Sequence, residues 1–233
     1  MFTINHFVAP CSEHVNDQIL QMVVDNLTDI SAVALPPSNP LYSVYQYAVG
    51  YEVHLYLQAL DGSKGVAVEL ITAMDEEDPS KVLGFLLYLP VKDDHQACGV
   101  AFMAVHASHR RRGIARAMVQ DMLGRYPHAE LTCAVGKVSY FEAMGFQVLG
   151  TRGHQVLMNT RDHVTDGLMG VLDVAPIYSS TEVRQIHTYL LQKNGKRAML
   201  DAEKQRDRHL DQLATKAQAF VLGRLGQRPL HTS

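Results

Sequence analysis

VHASHRRRGIARAM, from Val105 to Met118, decides the reading of this chain, because it joins an apolar strand to an amphipathic helix through a short loop of arginines and one glycine. The segment before it, GVAFMAV from Gly99 to Val105, is apolar and β-prone, and the segment after it sets Ile114, Met118, Met122 and Leu123 on roughly one helical face. The first amides of such a helix have no intrahelical acceptor and carry the positive end of its dipole, so an anion seated there satisfies them. Gly113 lets that anion approach the backbone, Ala115 keeps the approach open, and Arg110, Arg111 and Arg112 add positive charge. A solvated basic turn or a nucleic-acid contact would also explain three arginines, but neither needs the strand, glycine and helix around them. The run is suited to holding a pyrophosphate.

Outward from that loop the chain alternates between the two periods. TINHFV is a first strand, and Ser12 caps a helix to about Asp29 with Val15, Ile19, Met22, Val23 and Leu27 on its apolar side. After the PPSNP loop, the tyrosine-rich run from Leu41 to Leu60 predicts a second helix or helix pair. GVAVELITAM, VLGFLLYLP and GVAFMAV predict three strands in antiparallel hairpins, followed by a helix over 113–125. AELTCAV, KVSYFEAM, GFQVLG and HQVLMN predict strand, short helix, strand and strand. Beyond 160, Gly167, Gly170, Pro176 and the Ser179, Ser180 pair predict a linker over 161–179. A helical hairpin follows over 180–233, with its break at Asn194.

Composition narrows the class. The 233 residues are 47% apolar and 19% charged with net charge -3, as expected of a globular protein of one domain plus an extension. No apolar run approaches the roughly 18 residues of a membrane span, and no secretory layout opens the chain, so a cytoplasmic location is the expectation. Cys11, Cys98 and Cys133 are widely spaced thiols, and His106 with His109 lacks partners at metal-ligand spacing, so neither a disulfide framework nor a metal is expected. Residues 1–160 carry ten basic and sixteen acidic side chains, which disfavours a nucleic-acid surface and suits one local polyanion site. The acidic turns at Asp75, Glu76, Glu77 and Asp78, and at Asp93 and Asp94, read as solvated turns or as lures for a cationic amine.

Arg110, Gly113 and Ala115 have the spacing of motif A of the GCN5-related N-acetyltransferase (GNAT) superfamily, which this chain resembles, and the order β, α, α, β, β, β, α, β, α, β, β over about 160 residues is similar to that family's. The resemblance implies a mixed α/β (α+β) fold: a mostly antiparallel central sheet of about seven strands flanked by helices, here over 1–160, with the C-terminal helices as an extension. It implies acetyl-CoA as co-substrate, held by Met103, Val105, Arg110, Arg111, Arg112, Gly113, Ile114, Ala115 and Arg116. It further implies N-acetyl transfer to an amine of a small molecule, a peptide, or a protein lysine or N-terminus, by direct attack. The family's usual tyrosine acid falls at Phe141 and its frequent asparagine at Ala134, so Tyr140, Ser139, Cys133 or water is left to protonate the thiolate.

Such chemistry asks for a base as well. Glu69, in the otherwise apolar VAVELITA, is the first candidate, with an outward strand residue as the plainer explanation; His106 at the end of a strand is another. Glu52 and His54 on the second helix either line an acceptor cleft or face solvent. The apolar stripe of the tail, Val183, Ile186, Leu190, Leu191, Leu210, Leu213, Ala217, Phe220 and Val221, is expected to cover the body, a second copy in a homodimer, or a partner protein. The missing tyrosine keeps alive an alternative, a catalytically weak GNAT-fold protein that regulates a partner through that tail.

Overall fold

The structure is a computed structural model that describes residues 1–226; the last seven residues of the expected extension lie outside the described residues. Seven strands form one sheet in the order β1-β2-β3-β4-β5-β7-β6. β1 (Phe2–Phe7), β2 (Glu69–Asp75), β3 (Val82–Val91) and β4 (Asp94–Val105) are antiparallel neighbours. β5 (His128–Cys133), β7 (Gln155–Asn159) and β6 (Gln147–Arg152) form a second antiparallel group. The two groups meet in one parallel pairing of β4 with β5, which holds for three residue pairs, Ala97 with His128 to Gly99 with Glu130.

Side-chain alternation gives each face its own core. Phe85, Leu87 and Leu89 of β3 point into a cluster built with α1 (Glu13–Asp25) and α3 (Tyr42–Gln58). Leu86 and Tyr88 point the other way, into a cluster with α4 (Ile114–Arg125) and α5 (Val138–Glu142). β3 is therefore apolar almost throughout, as a strand covered on both faces must be. Ser12 caps α1 by accepting from the Val15 amide, as its position predicts. A short α2 (Leu27–Ile30) follows α1 and lies beside β4.

The C-terminal third is bound into this frame. Residues 161–179, expected as a linker, lie along the sheet: Met169 bridges to Val91, the Lys92 amide donates to the Leu168 carbonyl, and the Leu172 amide donates to the Tyr56 hydroxyl at 3.2 Å. Gly99 and Gly167 serve close approach here, since a Cβ would sit 2.3 Å from Met169 Sδ in the first case and 2.1 Å from Val91 Cγ1 in the second. A short α6 (Ala175–Tyr178) leads to α7 (Thr181–Asn194) and α8 (Lys196–Leu225), with the expected break between them. Met199 and Ala202 near the start of α8 join the first core, while Ala217 and Val221 near its end join the second. The stripe expected to cover the body, a second copy or a partner thus covers the body at these positions; Leu191 of that stripe stays exposed.

Candidate functional site

Past Gly99 and Glu130, β4 and β5 part. The outer edge of β4 pairs with β3 and that of β5 with β7, so the edges facing the gap, from Val100 to Val105 and from Leu131 to Cys133, have no strand partner. A β-bulge leaves Ala101 unpaired where the gap opens, because Leu87 pairs with Phe102 and Tyr88 with Val100. Two cavities share this gap. Val100, Ala101, Phe102, Leu131 and Thr132 line both, and the Thr132 hydroxyl, donating to Gln155 Oε1 at 2.8 Å, is the polar side chain among the shared five.

The first cavity, of about 660 Å³, runs from the gap to the head of α4. Arg111 and Gly113 both have positive φ, 63° and 81°, which turns the loop so that Gly113 starts α4 with no side-chain cap on the first amides. Arg110, Arg111 and Arg116, with Lys137 after β5 and Lys216 of α8, line a cavity whose one lining carboxylate is Asp29. Asp29 lies 3.7 Å from Arg110 Nη2 and 3.3 Å from Lys137 Nζ, and Arg110 also donates to Asn26. These contacts are half exposed and exchange readily for a stronger anion. An excess of cations around open helix amides, in a chain of net charge -3, has the charge and geometry that suit a polyanion.

The second cavity, of about 230 Å³, is lined by Glu52 and Tyr56 of α3, Leu89, Gly99, Met169, Val171, Glu130 and Arg152. Glu130 is 3% exposed and its Oε1 accepts from Arg152 Nη2 at 2.6 Å, so its charge is already met. Burial pushes the Glu52 carboxyl up to about 7.

The expected cofactor residues Met103, Val105, Arg110, Arg111, Gly113, Ile114, Ala115 and Arg116 all line the first cavity, as does Tyr140. Arg112 does not; it is exposed to solvent. His106 is exposed, bonded to Ser108, and lines neither cavity. Glu69 lies away from both. Its carboxylate accepts from His6 Nε2 at 2.8 Å, Tyr88 at 2.7 Å and Tyr126 at 2.5 Å, which is a structural network. Of the acceptor-cleft candidates, Glu52 lines a cavity, whereas His54 bonds Gln58 and stacks on Tyr51. The acidic turns close on themselves, Asp75 and Asp78 accepting from Glu77 and Ser80, and line neither cavity. Phe141 is buried against Phe146, while Tyr140 stays 46% exposed beside it. Asn26, Asp29, Thr132, Lys137 and Lys216 were missed by reading the sequence, since their chain neighbours carry no pattern that points to the gap. Among the described residues no cluster of His, Cys, Asp and Glu has the form of a metal site, and no helix is long and apolar enough to cross a membrane.

The mixed sheet splits beside a cationic helix head, and the comparisons with known proteins find a fold of this kind. Residues 65–148 match the family described as Acetyltransferase (GNAT) domain, a span from just before β2 into β6. Over that span the chain is similar to GNAT acetyltransferases. The PaiA N-acetyltransferase from Thermoplasma acidophilum, solved in complex with coenzyme A, shares its fold at a TM-score of 0.53 and 9% identity, over 68% of this chain and 99% of that one. A GCN5-related N-acetyltransferase from Kribbella flavida is 17% identical over 68% of this chain and 96% of that one, at a TM-score of 0.47. A comparison with curated protein sequences finds no match.

Two outcomes follow. Gly113→Glu strains the positive φ and closes the helix amides; losing two charge-assisted hydrogen bonds of about 1.5 kcal/mol each weakens CoA binding roughly a hundredfold, read by calorimetry on a variant of unchanged circular dichroism. Glu69→Gln leaves CoA affinity as it was but lowers stability by about 2 kcal/mol in urea titrations near neutral pH. Burial raises the Glu69 carboxyl, but the hydrogen bonds from Tyr126, Tyr88 and His6 outweigh it and hold the group below its ordinary value. Its contribution is therefore full above the unfolded pKa of about 4.3 and fades as pH falls through the lower folded value, where wild type and variant converge.

Proposed function

We propose that the protein transfers an acetyl group from acetyl-CoA to an amine, with CoA in the first cavity and the amine in the second. The observation that carries this reading is the opposite charge of two cavities that share one wall: five cations against one carboxylate on one side, and two carboxylates against one arginine on the other. Amides on the unpaired edge of β4 are the donors available to the thioester oxygen as negative charge develops on it.

Glu52 is the base of this reading. The amine arrives protonated, passes its proton to the Glu52 carboxylate, and its nitrogen attacks the thioester carbonyl carbon. The oxyanion then re-forms the carbonyl as the carbon–sulfur bond breaks, the thiolate leaves with the electron pair, and the nitrogen gives up its second proton to solvent, from which Tyr140 is reprotonated between turnovers. Tyr140 is the acid: burial raises its hydroxyl, only partly offset by Arg116, so it stays protonated and able to donate to the departing sulfur. Phe141 offers no proton in the usual place, and Tyr140 lines the same cavity one residue earlier.

Because Glu52 titrates at about 7, turnover rises with pH through that value as the carboxylate forms. Glu52→Gln removes this inflection and lowers kcat by roughly a hundredfold or more, with CoA affinity unchanged. A retained inflection in the variant would transfer the role elsewhere. Tyr140→Phe lowers kcat about tenfold or more while leaving the KM for acetyl-CoA within about twofold, measured by thiol release.

A further inference from the structure

The second cavity bounds the acceptor as well as placing it. Its volume of about 230 Å³ holds roughly seven or eight waters at about 30 Å³ each, so an occupant has on the order of eight non-hydrogen atoms. Its wall over the gap is fixed, because the 168–172 segment is pinned at Lys92, at Val91 and at the Tyr56 hydroxyl, and Met169 fills the space above Gly99. A folded chain has no room there.

The charges inside are equally specific. Glu130 is met by Arg152 at 2.6 Å, with the Thr165 amide at 3.4 Å and Asn159 Nδ2 at 3.5 Å on its other oxygen. Glu52, by contrast, makes no hydrogen bond or ion pair within the described residues, and it lies one helical turn from Tyr56 on the same face of α3. The cavity thus offers one unanswered carboxylate. Around it stand Phe102, Leu89, Met169, Val171 and Val100, with the Tyr56 and Phe102 rings 6.3 Å apart. A second ammonium would find its carboxylate already neutralised, and a carboxylate on the ligand would be the third in the cavity against a single arginine; in a space of low dielectric either costs several kcal/mol.

Resting on the acetyl-transfer reading above, we infer that the acceptor is a small primary monoamine with an apolar body, its ammonium against Glu52 and its hydrocarbon against Phe102, Leu89 and Met169. Diamines, polyamines, amino acids and peptide N-termini are poor acceptors.

The test is a panel with the full chain and saturating acetyl-CoA: isoamylamine and phenethylamine against putrescine, spermidine, phenylalanine and a short peptide with a free N-terminus. Thiol release and product mass are read together. The expected result is a kcat/KM at least tenfold higher for the two monoamines. Release that favours putrescine, spermidine, phenylalanine or the peptide, or treats all alike, overturns this inference and leaves acyl transfer standing. Saturable CoA binding with no release for any amine overturns the transfer reading itself. Two further readouts do not depend on the wild-type rate. Saturation-transfer NMR on the CoA-loaded protein should show phenethylamine bound, and weakened at least tenfold in Glu52→Gln; equal binding in the variant contradicts the placement. Val171→Glu, at an exposed position of the rim, adds a second unanswered carboxylate and should shift the putrescine to isoamylamine ratio at least fivefold toward putrescine; an unchanged ratio counts against the charge argument.

Discussion

The parting of β4 from β5 is the constraint on which the rest of the molecule depends. A parallel pair that stops after three residue pairs leaves backbone N–H and C=O groups along two strand edges without strand partners among the described residues, and such groups cannot be buried dry without a cost of about 1–3 kcal/mol each. The gap must therefore be filled by water or by a ligand with its own donors and acceptors along its length. In the proposed reading the amide-containing arm of CoA meets that demand, and its pyrophosphate takes the uncapped α4 amides. The bulge at Ala101 falls where the strands diverge, and so re-aims Val100 to Phe102 into the space where the two cavities meet.

Charge is sorted around that gap. A chain of net charge -3 gathers three loop arginines or their neighbours with Lys137 and Lys216 from distant segments on one side, and keeps an unanswered carboxylate on the other. Opposite fields on two sides of a shared wall let a polyanion and a cation occupy adjoining space without exchanging places. In the role proposed for Glu52, its burial has a chemical use, since a carboxyl poised at about 7 can both receive a proton and release it to solvent between turnovers.

How much of this was legible in the sequence follows from the range of the interactions. The β4 to α4 loop was legible because a glycine at a helix start and a periodic apolar face are local signals, and eight of nine expected cofactor residues line the cavity. The element order held for the same reason. Arg112 escaped because spacing alone does not reveal which side chains of a turn face a cavity. Glu69 was misread because a carboxylate in an apolar strand signals a partner without saying which: its three donors lie 63, 19 and 57 residues away in the chain. Glycines at 167 and 170 suggested looseness, yet Gly167 allows close contact with Val91 and Gly170 with Val66, and a glycine that permits motion is indistinguishable in sequence from one that permits contact.

A sheet joined across its middle by three parallel pairs is a hinge unless something else holds its halves. The second core does, gathering side chains of β2 and β3 with those of β5, β6 and β7, and further links add to it. Lys137, after β5, reaches the Asp29 carbonyl and carboxylate at the end of α2; His154, beside β7, reaches the Ala32 carbonyl; and α8 runs from the first core to the second. Between Ala202 and Ala217 that helix covers about 22 Å at 1.5 Å per residue, and Leu213 and Lys216, within reach of the cavity, complete its wall. The first two links are polar and partly exposed, so they yield to a bound anion; the helix is anchored by buried apolar side chains at both ends and does not. The C-terminal helices are for this reason packed into the same fold on both faces of the sheet that frames the gap.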